Sequence, residues 1–228
     1  MLRTLFAFLA LIVISPSLHA ETRILVVGDI LMTSNGDEQA SVSHALKQSI
    51  PGKIKSRAVA GARFFHFLPI TGLMGMNIKR QYRPGDWDIV VMNGGGNDLL
   101  FGCGCRRCDR MLNRLISADG TKGAIPKLVS RIREDGARVI YTGYLRTPGF
   151  SSPIERCTEI GNEFEERLAM MAQRDPGTDF ISLTNVVPHG DKSFHSLDFV
   201  HPSTKGSAAV AERISDAIYS AHIFASLR

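Results

Sequence analysis

Four short apolar runs and one mixed segment recur along the chain as candidate strands, and between them hydrophobic positions fall three and four apart. Arg23-Ile24-Leu25-Val26-Val27-Gly28 has the composition of a fully buried strand. Lys53 to Val59 predicts a second strand, with Gly61 just beyond it, and Asp88 to Met92 a third, running into Asn93 and the triple glycine Gly94-Gly95-Gly96. Ala137 to Thr142 and Asp179 to Leu183 complete the set. Val42, Ala45, Leu46 and Ile50 repeat at helical spacing, and Gly123 to Arg133 reads as helical. Cys157, Ile160, Phe164, Leu168 and Met171 share one face of a helix that stops before Pro176. A closing helix carries Val210, Ile214, Ala217, Ile218 and Ala221 along one stripe. Strands alternating with helices imply a parallel sheet covered on both faces, here a three-layer α/β/α sandwich with a five-stranded parallel sheet. In such folds ligands bind beyond the carboxyl ends of the strands, so function is sought just after Val27, Val59, Met92 and Leu183.

One apolar run breaks this pattern. Leu5 to Ile14 follows Arg3, and Ser15-Pro16-Ser17-Leu18-His19-Ala20 follows it, which is the outline of a secretory signal peptide cut after Ala20. The run is shorter than the roughly 20 residues needed to cross a membrane, so no stable membrane span is expected after cleavage. Removal of residues 1–20 leaves 208 residues, 21–228, enough for one domain with a full core. The formal charge of +5 falls to +4 with Arg3 and is read as ordinary surface composition rather than as a nucleic-acid site. The protein is expected to be exported, periplasmic or secreted.

Export changes the meaning of the four cysteines. Cys103, Cys105, Cys108 and Cys157 form an even set, and in an oxidising compartment they suggest two disulfides with three possible pairings. A zinc site is the rival reading, but only one Cys-x2-Cys knuckle is present, so no metal is expected. Cys157 lies on the apolar stripe of its helix, and the cluster follows a neighbouring strand, so Cys157 is expected to bond to the cluster.

At the strand ends stand Gly28-Asp29-Ile30, then Gly61, then Gly96-Asn97-Asp98, and before the last helix Asp198-Phe199-Val200-His201-Pro202. Each is weak alone, since Gly-Asp is a common turn and Gly-Asn-Asp a common helix start. In this order the chain resembles the SGNH (GDSL-type) hydrolases from Ile24 to about Ile218, whose blocks are Gly-Asp-Ser, a glycine, Gly-x-Asn-Asp and Asp-x-x-His. The resemblance implies the flavodoxin-like fold of that family and ester cleavage without a cofactor. The substrate would be a small acyl ester, or an O-acylated glycan or lipid. Acyl transfer needs a base, an orienter for it, and donors aimed at the oxyanion. By the resemblance His201 is the base, Asp198 fixes its tautomer, and the N–H groups of Ile30 and Gly61 with the Asn97 amide are the donors, supported by Gly28 and Asp29.

The family serine is replaced by Ile30, which has no nucleophilic atom. Four readings stay open: an inactive relative that binds an acyl or glycan ligand, a displaced hydroxyl, direct activation of water by His201 and Asp198, or an individual variant of an active lineage. Ser34 is the displaced candidate, sharing a face with position 30 if the chain is helical there, although one helical turn is about 5.4 Å. Two insertions, 64–85 and 99–122, are expected to set the substrate. The first carries Phe64, Phe65, Phe67, Leu68, Ile70, Leu73, Met74 and Met76, apolar enough for an acyl pocket or for packing over the sheet edge. The second places the cysteine cluster beside the pocket mouth, with Arg106, Arg107 and Arg110 read as solvated.

Overall fold

A computed structural model describes residues 21–66, 74–149 and 152–226. The amino-terminal signal segment and Phe67, Leu68, Ile70 and Leu73 lie outside the described residues. Five strands, β1 (Arg23–Val27), β2 (Lys53–Ser56), β3 (Ile89–Met92), β4 (Arg138–Thr142) and β5 (Thr178–Ile181), form one parallel sheet in the order β2-β1-β3-β4-β5. Alternation along the three central strands, β1, β3 and β4, feeds two cores. Leu25, Val27, Val90, Met92, Val139 and Tyr141 bury on one face, and Ile24, Val26, Ile89, Val91 and Ile140 on the other.

The helices divide between those faces. On the second face lie α1 (Ile30–Thr33), α2 (Val42–Ser49) and α8 (Thr204–Ser226), which contribute Leu31, Leu46 and Ile214. The first face receives α3 (Ile78–Gln81), α4 (Gly96–Cys103), α5 (Asp109–Leu115), α6 (Ala124–Glu134) and α7 (Thr158–Gln173). The stripe of α6 is Ile125, Leu128, Val129 and Ile132, all buried and spaced to lie on one side of a helix. Burial of one such side chain contributes about 1.5–3 kcal/mol. The helix α7 ends short of Pro176, whose ring restricts the residue before it to extended backbone.

Several elements end at other residues than the sequence pattern predicts. Strand β2 stops at Ser56 rather than Val59; beyond it Arg57 and Val59 still donate to the carbonyls of Val26 and Gly28, so the chain peels away gradually. Strand β5 closes at Ile181. Neither insertion is plain loop: α3 forms in the first, and α4 and α5 span much of the second.

Chain direction matters most at one place. From β1 the chain moves outward to β2, then returns to β3 on the other side of β1. This reversal leaves a crevice at the carboxyl ends of β1 and β3. Residues 28–30 and 94–97 follow those two ends.

Candidate functional site

The turn after β1 is held by side chains from three other segments. Gly28 has φ +144°, and a Cβ there would lie 1.8 Å from Asn93 Oδ1, so only glycine fits. Its N–H donates to Gln81 Oε1 at 2.6 Å, and its carbonyl accepts from Gln81 Nε2 at 2.9 Å. Asp29 is fully buried. Its carboxylate accepts from Asn93 Nδ2 at 2.6 Å, from the Leu31 N–H at 3.1 Å and from the Tyr144 hydroxyl at 2.5 Å. Burial pushes the Asp29 carboxyl above its usual range, against the pull of those donors. Asp29 thereby caps α1, and Ile30 is its first residue.

A second segment is fastened to the first turn of α4. Asn97 Nδ2 donates to the Ala62 carbonyl at 3.1 Å. The Asp98 carboxylate accepts from the Phe64 N–H at 2.9 Å and from the Phe65 N–H at 2.8 Å. Three bonds thus pin the strip that follows Gly61 against the helix carrying Asn97. Burial raises the Asp98 carboxyl to about 6, with Phe64 and Phe65 opposing and the Asp29 charge adding. Gly61 adopts φ +75° in a turn. Among the described residues, the N–H groups of Ile30 and Gly61 donate no hydrogen bond.

The third contributor is the loop before α8. His201 Nδ1 lies 2.5 Å from Asp198 Oδ2, while Asp198 Oδ1 accepts the N–H groups of Val200 and His201 at 3.0 Å each. Partial burial works to raise the Asp198 carboxyl, but those N–H bonds and the imidazole outweigh it, and the net shift is downward. With Nδ1 engaged by the carboxylate, Nε2 is the ring nitrogen left for chemistry.

Ile30, Gly61, Asn97 and His201 all line one cavity of about 720 Å³. Its apolar wall includes Leu100 and Phe101 of α4, Ile154, Ile160 and Phe164 at and before α7, and Val200. Phe101 stays 59 % exposed at the cavity and stacks under Arg63 at 4.7 Å. The triple glycine admits this wall closely: a Cβ on Gly95 would meet the Phe164 ring at 2.7 Å, and one on Gly96 would meet the Tyr144 ring at 2.7 Å.

Ser34 does not join this group. It caps the carboxyl end of α1, is buried, and its Oγ donates to the Ile30 carbonyl at 2.9 Å. Among the described part of the first insertion, no aromatic side chain lines the cavity; Phe64 is in the core and Met74 faces solvent. All four cysteines are consumed in disulfides, Cys103–Cys108 and Cys105–Cys157, which leaves no thiolate for zinc. Cys105 and Cys157 both line the cavity, so the second bond joins two of its walls. Arg106, Arg107 and Arg110 are exposed and off the cavity. Asn93, Gln81 and Tyr144 hold the site without having been marked as site residues by the sequence pattern. Asn93 and Tyr144 stand one and two residues past strands, where a polar side chain is a usable signal, but nothing marked Gln81.

A family model described as the GDSL-like lipase/acylhydrolase family matches residues 26–209. Solved structures of similar fold include an assigned SGNH hydrolase from Slackia heliotrinireducens, at 20% identity and TM-score 0.60, covering 87% of this chain and 100% of that one. An assigned acylhydrolase from Bacteroides fragilis aligns at 17% identity and TM-score 0.60, covering 88% of each chain. An acetyl xylan esterase aligns at 13% identity and TM-score 0.59, covering 86% and 99%. At these identities the likeness establishes fold alone. No curated protein sequence matches the chain.

Proposed function

Because the chain belongs to the GDSL-like lipase/acylhydrolase family, we propose that its cavity is an acyl-ester hydrolase site in which His201, oriented by Asp198, activates water directly. The observation that carries this is the joint facing of His201, Asn97, Gly61 and Ile30 onto one largely apolar cavity, with Asp198 at 2.5 Å behind the imidazole. In this reading Ile30 stands where the family carries serine. His201 Nε2 takes a proton from water, and the hydroxide oxygen bonds to the ester carbonyl carbon. The oxyanion is met by the N–H groups of Ile30 and Gly61 and by the remaining Asn97 amide hydrogen. Collapse breaks the bond to the alkoxide, which recovers the proton from His201 as alcohol while the acid departs. A site that keeps its donors and binding groove without a nucleophile retains roughly 10³–10⁴ of catalysis over water.

A second reading has its own support. Among the described residues none of the hydroxyls or sulfurs on the cavity pairs with His201: Tyr144 donates to Asp29, Thr147 to Glu155 Oε2, Thr158 to the Glu155 carbonyl, and Cys105 is bonded to Cys157. The buried, back-bonded Ser34 also argues against a displaced nucleophile. This favours an acyl-binding protein of the cell envelope that releases its ligand unchanged. Export itself fits the amino-terminal pattern and the two disulfides. Among the described residues no helix is long and apolar enough to cross a membrane.

The unmodified chain is expected to hydrolyse short-chain nitrophenyl esters slowly and to lose this in His201→Ala. No turnover by it leaves binding, and Ile30→Ser then tests whether the site is assembled. Ile30→Ser is expected to raise hydrolysis of short-chain nitrophenyl esters by several orders of magnitude and to confer labelling by a fluorophosphonate, because nucleophile and base act as a unit. In a His201→Ala background the same change is expected to do nothing. A folded Ile30→Ser protein without turnover overturns the hydrolase reading and leaves binding.

A further inference from the structure

One wall of the cavity carries charge that ester cleavage does not use. Arg146, two residues beyond Tyr144, and Glu165 of α7 both line it, and their side chains are only 19 % and 10 % exposed. Arg146 Nη2 lies 3.3 Å from Glu165 Oε1, and Arg146 Nε donates to Thr184 Oγ1 at 3.3 Å. Glu165 Oε2 accepts from Ser182 Oγ at 2.6 Å and from Thr184 Oγ1 at 3.0 Å. The backbone makes room for the pair. A Cβ on Gly143 would lie 2.4 Å from Glu165 Oε1, and one on Gly161 would lie 2.5 Å from Arg146 Nη1.

Stability is a weak reason for such a pair, since desolvation cancels much of the attraction between buried charges. Its arrangement suits recognition better. A guanidinium has five N–H donors, of which Nε is bonded to Thr184, while Nη2 is in ion-pair contact with Glu165, whose Oε1 accepts no hydrogen bond among the described residues. Nη1 makes no hydrogen bond among the described residues, so donors remain on an arginine whose orientation Glu165 and Thr184 fix. Arg156 lines the same cavity, so its charged lining sums to two arginines against Glu165. The excess is positive, inside a groove otherwise fit for hydrocarbon.

We propose that Arg146, oriented by Glu165 and Thr184, is a second anchor in this cavity and selects acyl groups whose far end carries a carboxylate. The proposal rests on the acyl-ester reading of the site. It assigns the acyl half rather than the alcohol to this wall, because His201, which returns the proton to the alcohol, is 43 % exposed, whereas Arg146 is set within the groove. Arginine forms two parallel bonds to a carboxylate, a geometry an alkyl terminus cannot replace.

Binding and turnover test it separately. By calorimetry the unmodified chain is expected to bind adipate about tenfold more tightly than hexanoate, the effect of one charge-assisted contact. Arg146→Met is expected to erase that ratio, and Arg146→Lys, which keeps the charge without the fork, to leave part of it; the lysine variant carries the test if the methionine variant fails to fold. In the Ile30→Ser chain the nitrophenyl half-ester of adipate is expected to exceed nitrophenyl hexanoate in kcat/KM, with the difference in KM. Equal binding of adipate and hexanoate by the folded protein, or a ratio that survives Arg146→Met, overturns the anchor. Turnover of both esters without preference also overturns it and leaves ester cleavage standing. Arg146-dependent preference for adipate without turnover by Ile30→Ser overturns cleavage and leaves the anchor.

Discussion

Asp98 holds the amides of Phe64 and Phe65 from a buried position, and burial works against its charge. A carboxyl whose folded value is raised from 3.8 to about 6 binds more protons folded than unfolded between those values. Its contribution to stability is therefore full below about pH 4 and is lost as pH rises through 6, a change of about 3 kcal/mol. Unfolding free energies of the parent and of Asp98→Asn from denaturant titration, compared from pH 4 to 7, are expected to diverge by that amount, with the parent losing relative stability as pH rises. A parallel pair of curves would assign the two backbone contacts to a carboxyl of ordinary behaviour. Gln81 illustrates the same scale differently. One side-chain amide satisfies both backbone groups of Gly28 and also donates to the Gly75 carbonyl at 3.0 Å, replacing a strand where β1 has ended.

At the level of elements, the stretch from α4 to α7 depends on its cross-links. Cys105–Cys157 closes a separation of 52 residues and Cys103–Cys108 one of 5. Loop-closure entropy assigns about 4 kcal/mol to the first and about 2 to the second. Between them Cys105 and Arg107 take positive φ, +58° and +50°, which side-chain-bearing residues adopt at a cost of about 1 kcal/mol or more. Replacing Cys105 and Cys157 with serine is expected to lower the unfolding free energy about twice as far as replacing Cys103 and Cys108, measured by denaturant titration. The outer pair should also weaken acyl binding, because both its cysteines line the cavity, whereas a purely structural staple would leave affinity unchanged in the protein that stays folded.

For the whole molecule, one sheet serves two cores, and that arrangement predicts coupling between faces. Leu168 of α7 packs in the first cluster and Ile214 of α8 in the second, both fully buried. Each cut to alanine is expected to cost 2–5 kcal/mol. If the sheet makes one cooperative unit, either change shifts a single transition, and the two add because the residues lie in separate clusters on opposite faces of the sheet. Two separable transitions in calorimetry would show that the faces unfold independently.

Five strands, the order of the four motif blocks and an oxidised partner for Cys157 are legible along the chain, because each rests on local periodicity or on residue types at fixed spacing. Buried runs such as Ile24 to Val27 mark strands wherever they sit, and Cys157 announces its inward face through Ile160 and Phe164. Pairing Cys157 with Cys105 rather than with its neighbours needed the tertiary structure. So did the strand order that makes a crevice between β1 and β3. The burial of Ser34 under its own helix, the apolar wall built from α4 and α7, and the Arg146–Glu165 pair were equally beyond the sequence. Each of these depends on which elements the sheet brings side by side or on where a hydroxyl or guanidinium finds its partner. Tyr144 reaches Asp29 across 115 residues of chain, and Gln81 reaches Gly28 across 53. Periodicity fixes which face a residue presents; only packing fixes what that face meets.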